Sequence, residues 1–92
     1  MSRHVTIDGA AIATPAQAWD ALAAALELPA HFGRNLDALF DSLTRDVPGP
    51  LAVTWRAAAA TERTLGSYFH RLRATLEDAA RARSDLTVAF EP

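Results

Sequence analysis

The sequence predicts an α/β fold of two layers: a three-stranded parallel sheet carrying about four helices. Three observations predict it. Short β-branched or apolar runs stand at 4–8, 51–55 and 85–90, each with strand character. Between them lie stretches with apolar residues at helical spacing, two helical segments per connection, which gives the order β-α-α-β-α-α-β. Strands that alternate with helices pair in parallel through right-handed crossovers. The chain has 92 residues, the length of one domain over 1–92 that buries somewhat over ~60% of its unfolded surface.

Each element has a local reason. "HVTID", 4–8, alternates and is β-branched, and Asp8-Gly9 follows as a turn. Thr14-Pro15-Ala16-Gln17 is a helix start, with Thr as N-cap, Pro at the first position and Gln closing a capping box. Trp19, Leu22, Ala23 and Leu26 form the inward stripe, and Pro29 ends this helix near Leu28. Residues 29–35 form a loop in which Gly33 offers a backbone able to take positive φ or to approach a partner closely. Asn35 caps a second helix over about 36–45, with Leu36, Leu39 and Leu43 inward. "VPGP", 47–50, is a turn. Strand 51–55 leads to a helix over 57–65, a break at Gly66-Ser67, a long helix over 68–82 and a third strand at 85–90 that reads as buried. Trp19, Trp55, Phe69 and Phe90 read as core, with Tyr68 partly exposed.

Composition narrows the chemistry. Nine cations, all Arg, stand against eleven acids for a net charge of −2, without the basic footprint of a nucleic-acid binder. Arg71, Arg73, Arg81 and Arg83 read as the solvated face of the long helix. There is no cysteine, which excludes disulfides, thiolate metal sites and a cysteine nucleophile. No apolar stretch matches a secretory signal or a bilayer span, so the expected location is the cytoplasm, and the Arg- and Ala-rich composition suggests a GC-rich bacterial source. His4 and His70 read as structural or exposed. No nucleophile motif accompanies His31, and no ligand spacing such as a calcium loop accompanies the acids. No catalytic residue, cofactor or metal is expected.

One stretch asks for explanation. "GRNLDALFDSLT", 33–44, places Asp37 and Asp41 about 40° apart on a helix at 100° per residue, with Thr44 on the same face. Like charges at that spacing destabilise a helix. One reading is a solvated face: Asp37 gains from the helix N-terminus, and Arg34 or Arg45 pairs with the aspartates. The other is a carboxylate pair held ready for a cationic surface, with the charge and acceptor geometry of two backbone phosphates.

"LPAHFGRNLDALFDSLT", 28–44, resembles the signature of the barstar family, small intracellular inhibitors of secreted bacterial ribonucleases. "PLAVTW" and the terminal "DLTVAF" resemble the family's later strands, so the similarity covers about 4–90. The resemblance implies that the loop and helix over 31–46 plug a ribonuclease cleft without chemistry. Asp41 would then enter the phosphate site and Asp37 would meet basic residues at the rim. Gly33 and Asn35 would shape the loop, and Thr44 and Asp78 would add polar contacts. His31 stands where family members often carry Tyr, Phe40 where Trp is typical, and Asp46 where an aromatic residue can occur; all three belong to the implied contact surface. The implied role is that of an antitoxin: a 1:1 inhibitor of a secreted ribonuclease with a cationic active site, binding no nucleic acid and no membrane. The alternative is a barstar-like interaction module for a different toxin or regulatory partner. Residues 27–46 hold four acids and two Arg, a local net of −2, so electrostatic steering is expected to be modest.

Overall fold

Val5, Val53 and Val88 stand side by side across three parallel strands. The computed structural model describes residues 3–92. The strands are β1 (Arg3–Asp8), β2 (Leu51–Arg56) and β3 (Leu86–Phe90), with β2 central. The first crossover contains a 3-10 turn (Gly9–Ala11), α1 (Pro15–Ala25) and α2 (Leu36–Asp41), which runs on as a π-helical turn (Ser42–Asp46). The second contains α3 (Ala58–Leu65) and α4 (Ser67–Ala82). The sequence-derived order and sheet direction therefore hold.

The strands alternate because the sheet is covered on one face only. Ile7, Leu51, Val53, Trp55 and Leu86 are buried, while His4, Thr6, Arg56, Thr87 and Ala89 are exposed. The third strand was expected to be buried; it is instead an edge strand with one wet face, its Val88 and Phe90 half-buried. On the covered side α1 packs on β1, α4 packs on β3, and α2 packs on α4. Trp55 lies at the centre, 5.4 Å from the Phe69 ring and 6.3 Å from that of Phe90. Its indole N–H donates to Thr61 Oγ1 at 3.0 Å, and the Thr61 hydroxyl donates to the Gly9 carbonyl at 2.9 Å. A Cβ at Gly9 would collide with Thr61, the Trp55 indole and the Arg56 carbonyl, so only glycine lets the chain pass this network.

The predicted capping box at Thr14 and Gln17 forms with both of its hydrogen bonds, each 3.2 Å long. The end of α1 differs from the expectation: it stops at Ala25, not near Leu28. Glu27 takes a left-handed φ of 54°. The Leu28 N–H then bonds the Ala23 carbonyl at 2.9 Å and the Glu27 N–H bonds that of Ala24 at 3.3 Å. This is a Schellman ending with glutamate where glycine is usual. Arg3 steadies it, with Nη2 3.1 Å from both the Glu27 carboxylate and the Ala25 carbonyl. No described helix is long and apolar enough to cross a membrane.

Candidate functional site

Residues 31–47 form an arm pinned at both ends. At its start Phe32 is buried, edge-on to Trp19 with ring centres 5.9 Å apart. Arg34 turns away from the arm: its guanidinium lies 2.5 Å from Asp20 and 3.3 Å from the Ala16 carbonyl. Of the two uses left open for Gly33, positive φ does not occur there; it falls on Arg34, at 53°. Gly33 serves close approach, since a Cβ there would stand 3.1 Å from that of Ala38 and 3.2 Å from Asn35 Nδ2. Asn35 caps α2 as predicted. Its Oδ1 accepts from the Ala38 N–H at 2.8 Å, and its Nδ2 donates to the Gly33 carbonyl at 3.1 Å.

The arm's inner face is Leu39 and Leu43, both fully buried, with Leu36 half-buried beside them. Its outer face carries His31, Gly33, Asn35, Asp37, Asp41 and Asp46, all exposed. Phe40 is half-buried and leans on the core. After Asp41 the helix widens, and the Val47 N–H bonds the Ser42 carbonyl at 2.9 Å, five residues back. This is a π turn, a form that recurs at functional positions, and two residues along it differ from expectation. Thr44 is half-buried, its hydroxyl returned to the Phe40 carbonyl at 2.8 Å. Arg45 makes no ion pair with Asp41.

The carboxylates divide unevenly. Of the eleven acids, seven form ion pairs among the described residues: Asp20, Glu27, Glu62, Glu77, Asp78, Asp85 and Glu91. Asp8 accepts from the Ala10 N–H. The other three, Asp37, Asp41 and Asp46, lie on the arm with no polar side-chain partner among the described residues. Asp78 sits on α4, against which α2 packs, and is paired with Arg81. Among the described residues no group of three or more His, Asp or Glu is placed to hold a metal ion. His4 contacts Thr54 at 3.0 Å and His70 contacts Glu62 at 2.5 Å, both away from the arm.

Sequence reasoning missed Arg83. It does not belong to a solvated helix face: its side chain is 15% exposed. Nη1 donates to the carbonyls of Leu43 at 2.7 Å and Val47 at 2.6 Å. Nε and Nη2 donate to Asp85 at 2.6 and 3.3 Å. Those bonds from Arg83, before its direct charge attraction, hold the Asp85 carboxyl below its ordinary value. The available signal was an Arg-x-Asp just past the long helix, facing a turn whose prolines lack N–H donors.

The model of the family described as Barstar (barnase inhibitor) matches residues 2–91. The chain belongs to the barstar family. A Bacillus subtilis (strain 168) protein named "Putative ribonuclease inhibitor YrdF" is 32% identical over 83 residues, covering 90% of this chain and 91% of that protein. Ribonuclease inhibition is thus the function at family level, and the parallel three-stranded sheet with four helices agrees with a barstar-like fold. The exposed arm coincides with the stretch whose sequence resembles the barstar signature.

Proposed function

We propose that this barstar-family chain acts as a single domain over 1–92 that inhibits a secreted ribonuclease from within the producing cell's cytoplasm. The arm over 31–47 occupies the enzyme's cleft, and Asp37 and Asp41 stand in for RNA phosphates against its cations. The chain performs no chemistry of its own and binds 1:1. One observation carries this reading: among the described residues, the carboxylates without a polar side-chain partner concentrate on one arm, while Arg34 at its base is turned onto Asp20. Unpaired carboxylates gathered on one helix face repel one another, so their accumulation makes physical sense where a cationic partner completes them.

Barnase, the enzyme in the family's own description, is the probe. Titrating it with the purified chain should abolish RNA cleavage at one equivalent, and Asp41→Ala should weaken that inhibition more than Asp78→Ala, whose carboxylate Arg81 already holds. Unchanged RNA cleavage at excess inhibitor would exclude barnase-type enzymes and favour a different partner for the same arm. Cleavage of RNA by the chain alone would contradict the non-enzymatic reading.

A further inference from the structure

We infer that Arg83, fixed by Asp85, is a positioning residue for partner binding: it locks the last turn of the arm and thereby the direction in which Asp41 presents its carboxylate. The inference rests on the inhibitory reading above.

Backbone accounting explains why the arm needs it. In a π turn the Leu43 carbonyl would accept from the N–H of residue 48, and residue 48 is proline, which has none. Pro50 likewise offers no donor within the turn. Arg83 replaces the missing donors from a distance of 40 and 36 residues along the chain. Its positive charge also sits where the carbonyl end of a helix is electronegative.

The donor is itself immobilised. Arg83 leaves α4 in an extended conformation, φ −142° and ψ 116°, and Asp85 grips the guanidinium edge opposite the carbonyls. The turn folds tightly over this pair: any Cβ at Gly49 would collide with the Arg83 guanidinium and the Asp85 carboxylate. Of the other ion-paired arginines, Arg3 keeps 30% of its side chain exposed and Arg34, Arg56, Arg73 and Arg81 keep 45% or more, against 15% for Arg83. Asp41 directly precedes the π turn (Ser42–Asp46), so only Ser42 separates its backbone from fraying of 43–47. A carboxylate on a frayed end must be ordered at the moment of binding, which weakens affinity.

The test combines amide hydrogen exchange with barnase affinity for wild type, Arg83→Gln and Asp85→Asn, each with and without Asp41→Ala. Arg83→Gln should speed exchange over 43–47 and leave β2 protected. It should weaken barnase binding about tenfold, the size of coupling found within one hydrogen-bonded network. Asp85→Asn should do the same to a smaller degree while retaining the guanidinium, which covers the case of an Arg83→Gln chain that fails to fold. In both backgrounds the penalty of Asp41→Ala should shrink, although neither Arg83 nor Asp85 touches Asp41. Penalties that simply add would overturn the inference and leave the inhibitory reading intact, as would unchanged affinity in Arg83→Gln. An Asp41→Ala chain that binds as wild type would overturn the inhibitory reading and this inference with it.

Discussion

Arg34 lies 2.5 Å from Asp20 and donates to the Ala16 carbonyl as well, so the cation nearest Asp37 in sequence is tied to α1. That pair does two things at once. It anchors a residue held at positive φ, and it keeps a guanidinium off the acidic face. Asp20→Asn is therefore expected to cost under about 1 kcal/mol in stability, as exposed ion pairs do. It should also slow association with barnase, because the released Arg34 can swing toward Asp37. Stopped-flow association rates with urea unfolding check both parts; an unchanged rate would show that the pair does not shape the arm's field.

Asn35 closes the start of α2 through its 2.8 Å bond to the Ala38 amide. Asn35→Ala should destabilise the protein by about 1 kcal/mol, the usual cost of losing such a cap, while Asn35→Asp should retain most of the stability. Chemical denaturation of the two variants separates the cap from any effect of the amide on the partner.

Thr61 is the buried hinge of the Trp55–Gly9 network. Thr61→Val preserves shape and removes the hydroxyl, leaving the indole N–H unpaired and the Gly9 carbonyl with only the 3.4 Å bond from the Ile12 N–H, at about 1–3 kcal/mol. For a domain of this size each kcal/mol lowers Tm by roughly 4–8 °C. Barnase affinity, measured well below that Tm, should not change, since the network is remote from the arm.

Asp85 supplies a pH signature. Arg83 holds its carboxyl below the ordinary 3.8. The carboxylate's contribution to stability is therefore complete above that ordinary value and is lost as pH falls below it, through the lower folded value. Unfolding free energies measured from neutral to strongly acidic pH should show wild type above Asp85→Asn at neutral pH, with the gap closing only in acid. A gap that already closes above the ordinary carboxylate range would contradict the Arg83 contact.

How much of this was legible in the sequence follows contact range. Thr14 with Gln17, and Asn35 with Ala38, are partners three residues apart, so their caps could be read directly. The strands declared themselves by β-branching, and Leu39 and Leu43 by helical spacing. The ending of α1 was not legible because a glutamate, not a glycine, takes the left-handed position. The π turn has no residue signature, and nothing local marks that Thr44 turns its hydroxyl back to the Phe40 carbonyl or that Arg45 makes no ion pair with Asp41. Arg34 and Arg83 were not legible for a single reason: apart from Asp85 beside Arg83, the acceptors they meet lie 14 to 40 residues away, where only tertiary packing decides which acceptor a guanidinium meets. Asp37 and Asp41 stand exposed, as the helix geometry required, and what the sequence could not reveal is that nothing within the described fold engages them.

The central claim is that Asp37 and Asp41 act through charge on a partner's cations. Coupling energies for close charge pairs at the barnase–barstar interface run about 1.5–7 kcal/mol, a magnitude that comes from that complex and not from this chain. The most direct measurement is the affinity of wild type and of Asp37→Asn/Asp41→Asn for barnase by calorimetric titration at low and high salt. Asparagine keeps the shape of each side chain and removes only its charge. The expected result is a wild-type affinity that falls with salt and a double variant that binds far more weakly, by about a hundredfold or more, with little salt dependence left. Equal affinities for the two proteins at low salt would contradict the claim.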